Sequence, residues 1–184
     1  MKTLQCVPNF SEGRDPNFLR ELQTVLARHP VKVLDLSMNK DHNRAVATFL
    51  GAPEAVETAA MAVASRALEL IDMRTHKGSH PRMGAVDVMP FVPMRGMTMA
   101  EAVEIARRFG RAFAKTHGIP VFFYEEACTS EARRSLADIR LCADPVSAVH
   151  GGASAGVFVP DAELPSQLSG AAGGVVGREG RGGG

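Results

Sequence analysis

The chain is poor in the features that would place it outside ordinary globular proteins. Its three cysteines, Cys6, Cys128 and Cys142, are odd in number, widely separated and in no C-x-x-C pair. That excludes a disulfide framework and predicts reduced thiols in a cytoplasmic protein. No apolar run approaches the ~20 residues of a membrane span. Met1-Lys2-Thr3-Leu4 shows neither an apolar h-region nor a small-residue cleavage site, so no signal peptide is expected. A net charge of +1 provides no general electrostatic reason for nucleic acid or a membrane surface as partner. What remains is 184 residues, 22% charged and 45% hydrophobic, enough to bury one core as a soluble domain.

Periodicity divides most of the chain into short elements. Leu4 to Asn9 reads as a strand ending at a Pro8-Asn9 turn. Asp15 caps a helix with Pro16 at its first position and Phe18, Leu19, Leu22, Val25 and Leu26 on its core face. Val31 to Leu36 and Arg44 to Leu50 read as strands of a hairpin, with the polar connector Ser37 to His42 between them. A second helix spans about Pro53 to Leu70, with Val56, Ala60, Val63, Ala67 and Leu70 facing inward. Ile71 to Met73 is a candidate edge strand, and Val86 to Val92 a further strand in which Pro90 implies an edge or a bulge. Thr98 and Glu101 form a capping box for a third helix that Gly118 stops. Ile119 to Tyr124 is the last clear strand, and a fourth helix is expected over Glu131 to Arg140 with Ser130 as its cap. The order predicts an α+β domain, a two-layer sheet-and-helix sandwich of ferredoxin-like (split βαβ) type.

The most chemically dense stretch is Thr75-His76-Lys77-Gly78-Ser79-His80-Pro81-Arg82-Met83-Gly84. Gly78, Pro81 and Gly84 shape a specific loop, and a polar loop on a rigid scaffold is where binding and catalytic groups gather. It resembles the His-Pro-Arg-Met-Gly signature of glutamate formimidoyltransferases, the folate enzymes of histidine breakdown. Two further segments agree in order: Cys6-Val7-Pro8-Asn9-Phe10-Ser11-Glu12-Gly13-Arg14, and Asp41-His42-Asn43-Arg44-Ala45-Val46 leading to Thr48-Phe49-Leu50-Gly51. The likeness runs from about Leu4 to Arg140.

The resemblance implies transfer of a formimino group from N-formimino-L-glutamate to N5 of tetrahydrofolate, the acceptor substrate. An amine attacks an amidine carbon, and glutamate leaves as its amine. One group must take and return a proton near neutral pH, which suits histidine. His80 matches the family's catalytic histidine. Arg82 and Arg44 are candidates for the substrate carboxylates, because guanidinium is a bidentate fork; each is equally consistent with a surface ion pair. Asn9 and Asn43 are candidate donors to a carbonyl or the pterin ring, and also read as turn residues. Asp35, Asp41 and Asp87 are candidates to orient His80, and the sequence does not choose among them.

A metal is not expected. His42, His76, His80 and Asp87 are possible ligands, but Gly78 and Pro81 remove the helical meaning of the His76/His80 spacing. Cys6 and Cys128 read as small core residues rather than nucleophiles. The Met-rich stretch Met89 to Met99 suits a groove wall or subunit packing equally.

After Arg140 the amphipathic pattern ends. Residues 1–140 read as the N-terminal transferase subdomain, and 141–184 as a Gly/Ala-rich tail expected to be disordered. Gly151 to Gly156 lacks the Gly-Lys-Ser/Thr ending of a phosphate loop. In the family a second subdomain follows and folate lies in the groove between the two; this chain has no room for it. A one-subdomain paralogue, a partner chain supplying the other half, and a gene fragment with its tail out of frame all fit. So do alternative functions: a non-catalytic remnant or binding module without the folate groove, or a relative that transfers formyl. Homodimerisation is a family habit that no stretch here demonstrates.

Overall fold

Along Arg44–Gly51 every second side chain, Ala45, Ala47 and Phe49, is buried while its neighbours are half-exposed. This two-residue period belongs to a strand with one face on the core. The computed structural model describes residues 1–74, 76–78, 84–129, 134–141 and 155–158. Seven strands form one antiparallel sheet: β1 (Leu4–Cys6), β2 (Asn9–Phe10), β3 (Val31–Asn39), β4 (Arg44–Gly51), β5 (Val86–Pro93), β6 (Phe122–Glu125) and β7 (Ala155–Phe158). The helices are α1 (Pro16–Leu26), α2 (Pro53–Leu70), α3 (Met99–His117) and α4 (Leu136–Leu141).

β1 and β2 act as one broken strand between β4 and β5, so the spatial order is β3, β4, β1/β2, β5, β7, β6. Each long helix joins two strands that a third separates. α1 leads from β2 to β3 around β4, α2 from β4 to β5 around β1/β2, and α3 from β5 to β6 around β7. That is the split βαβ arrangement expected from the sequence, a two-layer α+β sandwich.

The core lies between the sheet and α1, α2 and α3. Phe10, Phe49, Phe91, Phe109, Phe113 and Phe123 are fully buried in it. Phe10 meets Phe18 edge-on at 5.6 Å, and Phe91 meets Phe109 at 5.3 Å. Each buried ring stabilises the fold by roughly 1.5–3 kcal/mol over leaving it in water. Cys6 is buried there too, its Sγ 3.3 Å from Met89 Sδ, and burial raises its thiol pKa well above the ordinary value. A small second cluster, Val88, Phe122, Tyr124 and Ile139, sits on the other face under α4. No helix among the described residues is long and apolar enough to cross a membrane.

Several expectations change on folding. The first strand breaks at Val7-Pro8, because Pro8 has no N–H; the Val7 N–H donates to the Pro90 carbonyl at 3.3 Å, and the Ala47 N–H to the Pro8 carbonyl at 3.1 Å. Pro90 is therefore not at an edge. It lies inside the sheet opposite this break, and a register shift follows where Asn9 faces Val88 and Phe10 faces Val86. The hairpin connector is shorter than expected, since β3 continues to Asn39, whose Oδ1 accepts the N–H groups of Asp41 and His42. Ile71 to Met73 forms no strand. The Ile71 N–H closes α2 on the Ala67 carbonyl and its side chain is buried, so the segment is an anchor for the helix end. Leu70, expected inside, is 41% exposed at the last residue of α2. The helix start expected at Ser130 and Glu131 lies outside the described residues. Ala155–Phe158 falls within the 141–184 stretch expected to be disordered, and for these four residues that expectation fails. β5 and β6 leave a one-strand gap whose backbone groups need partners, and β7 fills it.

At the start of α3 the capping box is complete: Thr98 accepts from the Glu101 N–H, and the Glu101 carboxylate accepts from the Thr98 N–H at 2.9 Å. The Lys2 ammonium also pairs with Glu101. Lys2 foremost, then the Thr98 donors, lower the Glu101 pKa from 4.5 to about 2. A carboxyl depressed by folding adds stability above its unfolded pKa and loses it as pH falls through the folded one. Stability should therefore decline from about pH 4.5 toward about 2, and Glu101→Gln should make that decline shallower. Denaturant midpoints across this range measure it; an unchanged slope would reject the assignment.

Candidate active site

Burying a polar side chain costs free energy unless it is hydrogen-bonded, so clusters of such residues mark places with another purpose. Among the described residues the buried polar or charged side chains are Asn9, Ser11, Asn43 and Asp87. They come from three separate stretches of chain, and the fold gathers them at one end of the sheet.

The first stretch is the end of β2 and the turn after it. Asn9 Nδ2 donates to the Val7 carbonyl at 3.0 Å. Ser11 donates twice to the segment before β5, from N–H to the Ala85 carbonyl at 2.9 Å and from Oγ to the Gly84 carbonyl at 2.7 Å. Gly13 then passes against the β3–β4 turn so closely that a Cβ there would lie 2.2 Å from both Arg44 N and the Asn39 carbonyl oxygen.

The second stretch is that turn and the first residue of β4. Asn43 stands in the left-handed region, with φ 49°, which asparagine tolerates better than most residues. Its Oδ1 accepts the Gly13 N–H at 2.8 Å, and its Nδ2 donates to the Lys77 carbonyl at 2.9 Å. Arg44 lies half-buried, on the face of β4 away from the helices, and its Nη2 donates to Asn9 Oδ1. Asn9 and Arg44 thus form a linked pair, where the sequence offered two independent candidates. Beside them lies an open hollow of about 530 Å³, lined by Ser37, Met38, Asn39, His42, Arg44 and Val46.

The third stretch runs from Lys77 to Asp87. Lys77 is held by Asn43, and Gly84 by Ser11. His80 and Arg82 lie outside the described residues, between these two attachment points in sequence. Of the three carboxylates considered for orienting a histidine, Asp35 is exposed and accepts from Ser37 Oγ at 2.8 Å, and Asp41 is exposed on the hairpin turn. Asp87 is buried, in the register shift of β5 three residues after Gly84. Among the described residues no three His, Cys, Asp or Glu side chains are grouped to hold a metal ion.

Ser11, Gly13 and Lys77 join this assembly although the sequence does not single them out for chemistry. Ser11 and Gly13 stand in the first motif, but only the partner segment reveals what a hydroxyl and a missing side chain do there. A cation beside an open hollow, a buried acid nearby in the sheet, and a segment tied at Lys77 and at Gly84 suit the binding of a small anionic substrate.

Comparison with known proteins bears on the same three segments. The family description "Formiminotransferase domain, N-terminal subdomain" matches residues 3–150, ten beyond the expected boundary at 140. The glutamate formimidoyltransferase of Thermoplasma acidophilum is 43% identical over 141 residues, 76% of this chain and 46% of that protein. That of Streptococcus pyogenes is 41% identical over 140 residues, 76% of this chain and 47% of the relative. The formimidoyltransferase-cyclodeaminase of Gallus gallus is 46% identical over 140 residues, again 76% of this chain but 26% of the relative. The chain therefore spans about a quarter to about half the length of these relatives. With four-fifths of its length matched and these identities, the chain belongs to the formiminotransferase family, as a member of its N-terminal subdomain.

Proposed function

We propose that this chain carries the proton-transfer part of a glutamate formimidoyltransferase site, acting in the cytoplasm on N-formimino-L-glutamate with tetrahydrofolate as acceptor. The observation that carries this reading is that buried polar residues of the first two family motifs, Ser11 and Asn43, bond to the signature segment at Gly84 and Lys77, with the buried Asp87 three residues beyond it. His80 is the general acid/base. It takes the proton from N5 of the folate as that nitrogen attacks the amidine carbon, and returns it to the glutamate nitrogen as the tetrahedral intermediate collapses. Asp87 is the orienting carboxylate in this scheme, because it is the buried one of the three candidates, and a carboxylate shielded from water holds an imidazole in one tautomer more firmly than an exposed one. Arg44, steadied by Asn9, and Arg82 take the carboxylates of the glutamate moiety. The open hollow beside Arg44 is where a second subdomain would close over the folate.

The test is tetrahydrofolate-dependent release of glutamate from N-formimino-glutamate, first with the chain alone and then with a separately expressed C-terminal subdomain of a relative. Release in either arm is the expected result. No release in both, from folded protein, would reject the reading.

A further inference from the structure

We infer that Asn43 is a positioning residue, whose side-chain amide couples the first motif to the signature segment at Lys77. Asn43 is among the candidates for direct substrate contact, yet its amide is already engaged at both ends. The oxygen accepts from Gly13 N–H at 2.8 Å and the nitrogen donates to the Lys77 carbonyl at 2.9 Å, with the residue only 5% exposed. These partners lie 30 and 34 residues away in sequence, so one side chain bridges two loops that share no strand pairing at this point. The bridge exists because Gly13 has no side chain to keep the hairpin away, and because asparagine accepts φ 49° at the turn. The opposite end of the signature segment is tied by Ser11 to Gly84. The Asn43 bond is therefore one of two fixed points between which His80 stands in sequence.

The kinetic part of this inference rests on the proposed formimidoyl transfer; the structural part does not. Asn43→Asp separates the two bonds. It keeps an oxygen for the Gly13 N–H and suits the same φ, but replaces the donor to Lys77 by an acceptor facing a carbonyl. Three results are expected. The unfolding midpoint falls, because a carboxylate is left facing a carbonyl in a nearly buried place, but the chain stays folded under assay conditions. Tryptic cleavage of the Lys77–Gly78 bond, followed by mass spectrometry, becomes about tenfold faster, while cleavage after Lys115 in α3 is unchanged. The kcat falls about 10- to 100-fold with KM within about twofold, as misplacement of a catalytic group predicts. Unchanged cleavage at Lys77 would overturn the coupling, whether or not the chain transfers formimino groups. Faster cleavage with kcat unchanged, or with KM carrying the whole loss, would overturn the positioning role. If the unaltered chain shows no transfer, the proposed function fails on its own, and the Lys77 cleavage rate still decides the coupling.

Discussion

A chain carrying His80→Ala is expected to transfer formimino groups about 10²–10⁴ times more slowly than the unaltered one, the usual worth of a general acid/base. Both halves of the reaction need a proton moved, from the attacking nitrogen and then to the leaving one. Near neutral pH an imidazole with an unperturbed pKa of ~6.5 is the side chain suited to both. The comparison that gives the number meaning is His76→Ala. His76 lies four residues earlier, with its N–H on the Met73 carbonyl at 3.4 Å, at the approach to the segment that Asn43 and Ser11 hold. Its loss should change turnover by much less. Steady-state kinetics of the two variants decide the matter, and an equal fall in both would show that the wrong histidine carries the role.

The second large effect falls on stability. Gly13→Ala is expected to cost about 3 kcal/mol, because its Cβ would sit 2.2 Å from Arg44 N, 2.2 Å from the Asn39 carbonyl oxygen and 2.7 Å from the Asn43 carbonyl carbon. All three are backbone atoms, so no side chain can turn aside. The β2–α1 turn must instead move off the hairpin, which also stretches the Gly13 N–H bond to Asn43. Gly118→Ala is the matched control. Gly118 has φ 69° but nothing within 4 Å of its would-be Cβ, so only the conformational cost of about 1 kcal/mol applies. Urea unfolding of the two variants measures the difference. A Gly13→Ala chain as stable as Gly118→Ala would mean that the close approach does not exist in solution. Since Gly13 is also where Asn43 anchors the first motif, the same variant should lose activity in step with stability.

Much of the architecture follows from local rules that act within a few residues. Asp15 before Pro16, Thr98 with Glu101, and Gly118 after His117 mark helix ends by hydrogen bonds and backbone angles that need no distant partner, and the helices begin and end there. The alternation along β4 and the β3–β4 hairpin are equally local, and so is the order of strands and helices that identifies the split βαβ type. The three motifs were also legible, since each is a run of neighbouring residues. What local rules could not supply is any quantity that depends on who lies across the sheet. Pro90 reads as an edge or bulge residue until β1/β2 and β7 are seen on both sides of it, with the gap at Val7-Pro8 opposite its carbonyl. Ile71 reads as a strand until no strand is there to pair with it. The choice of Asp87 over Asp35 and Asp41 as the orienting acid rests on burial, and burial is set by the elements packed around a residue rather than by its neighbours in sequence. Asn43 shows the same division. From sequence it is a turn residue or a substrate donor, because both roles use an exposed amide. Only the tertiary fold, by bringing Gly13 and Lys77 to within a hydrogen bond of either end, assigns that amide to joining the motifs.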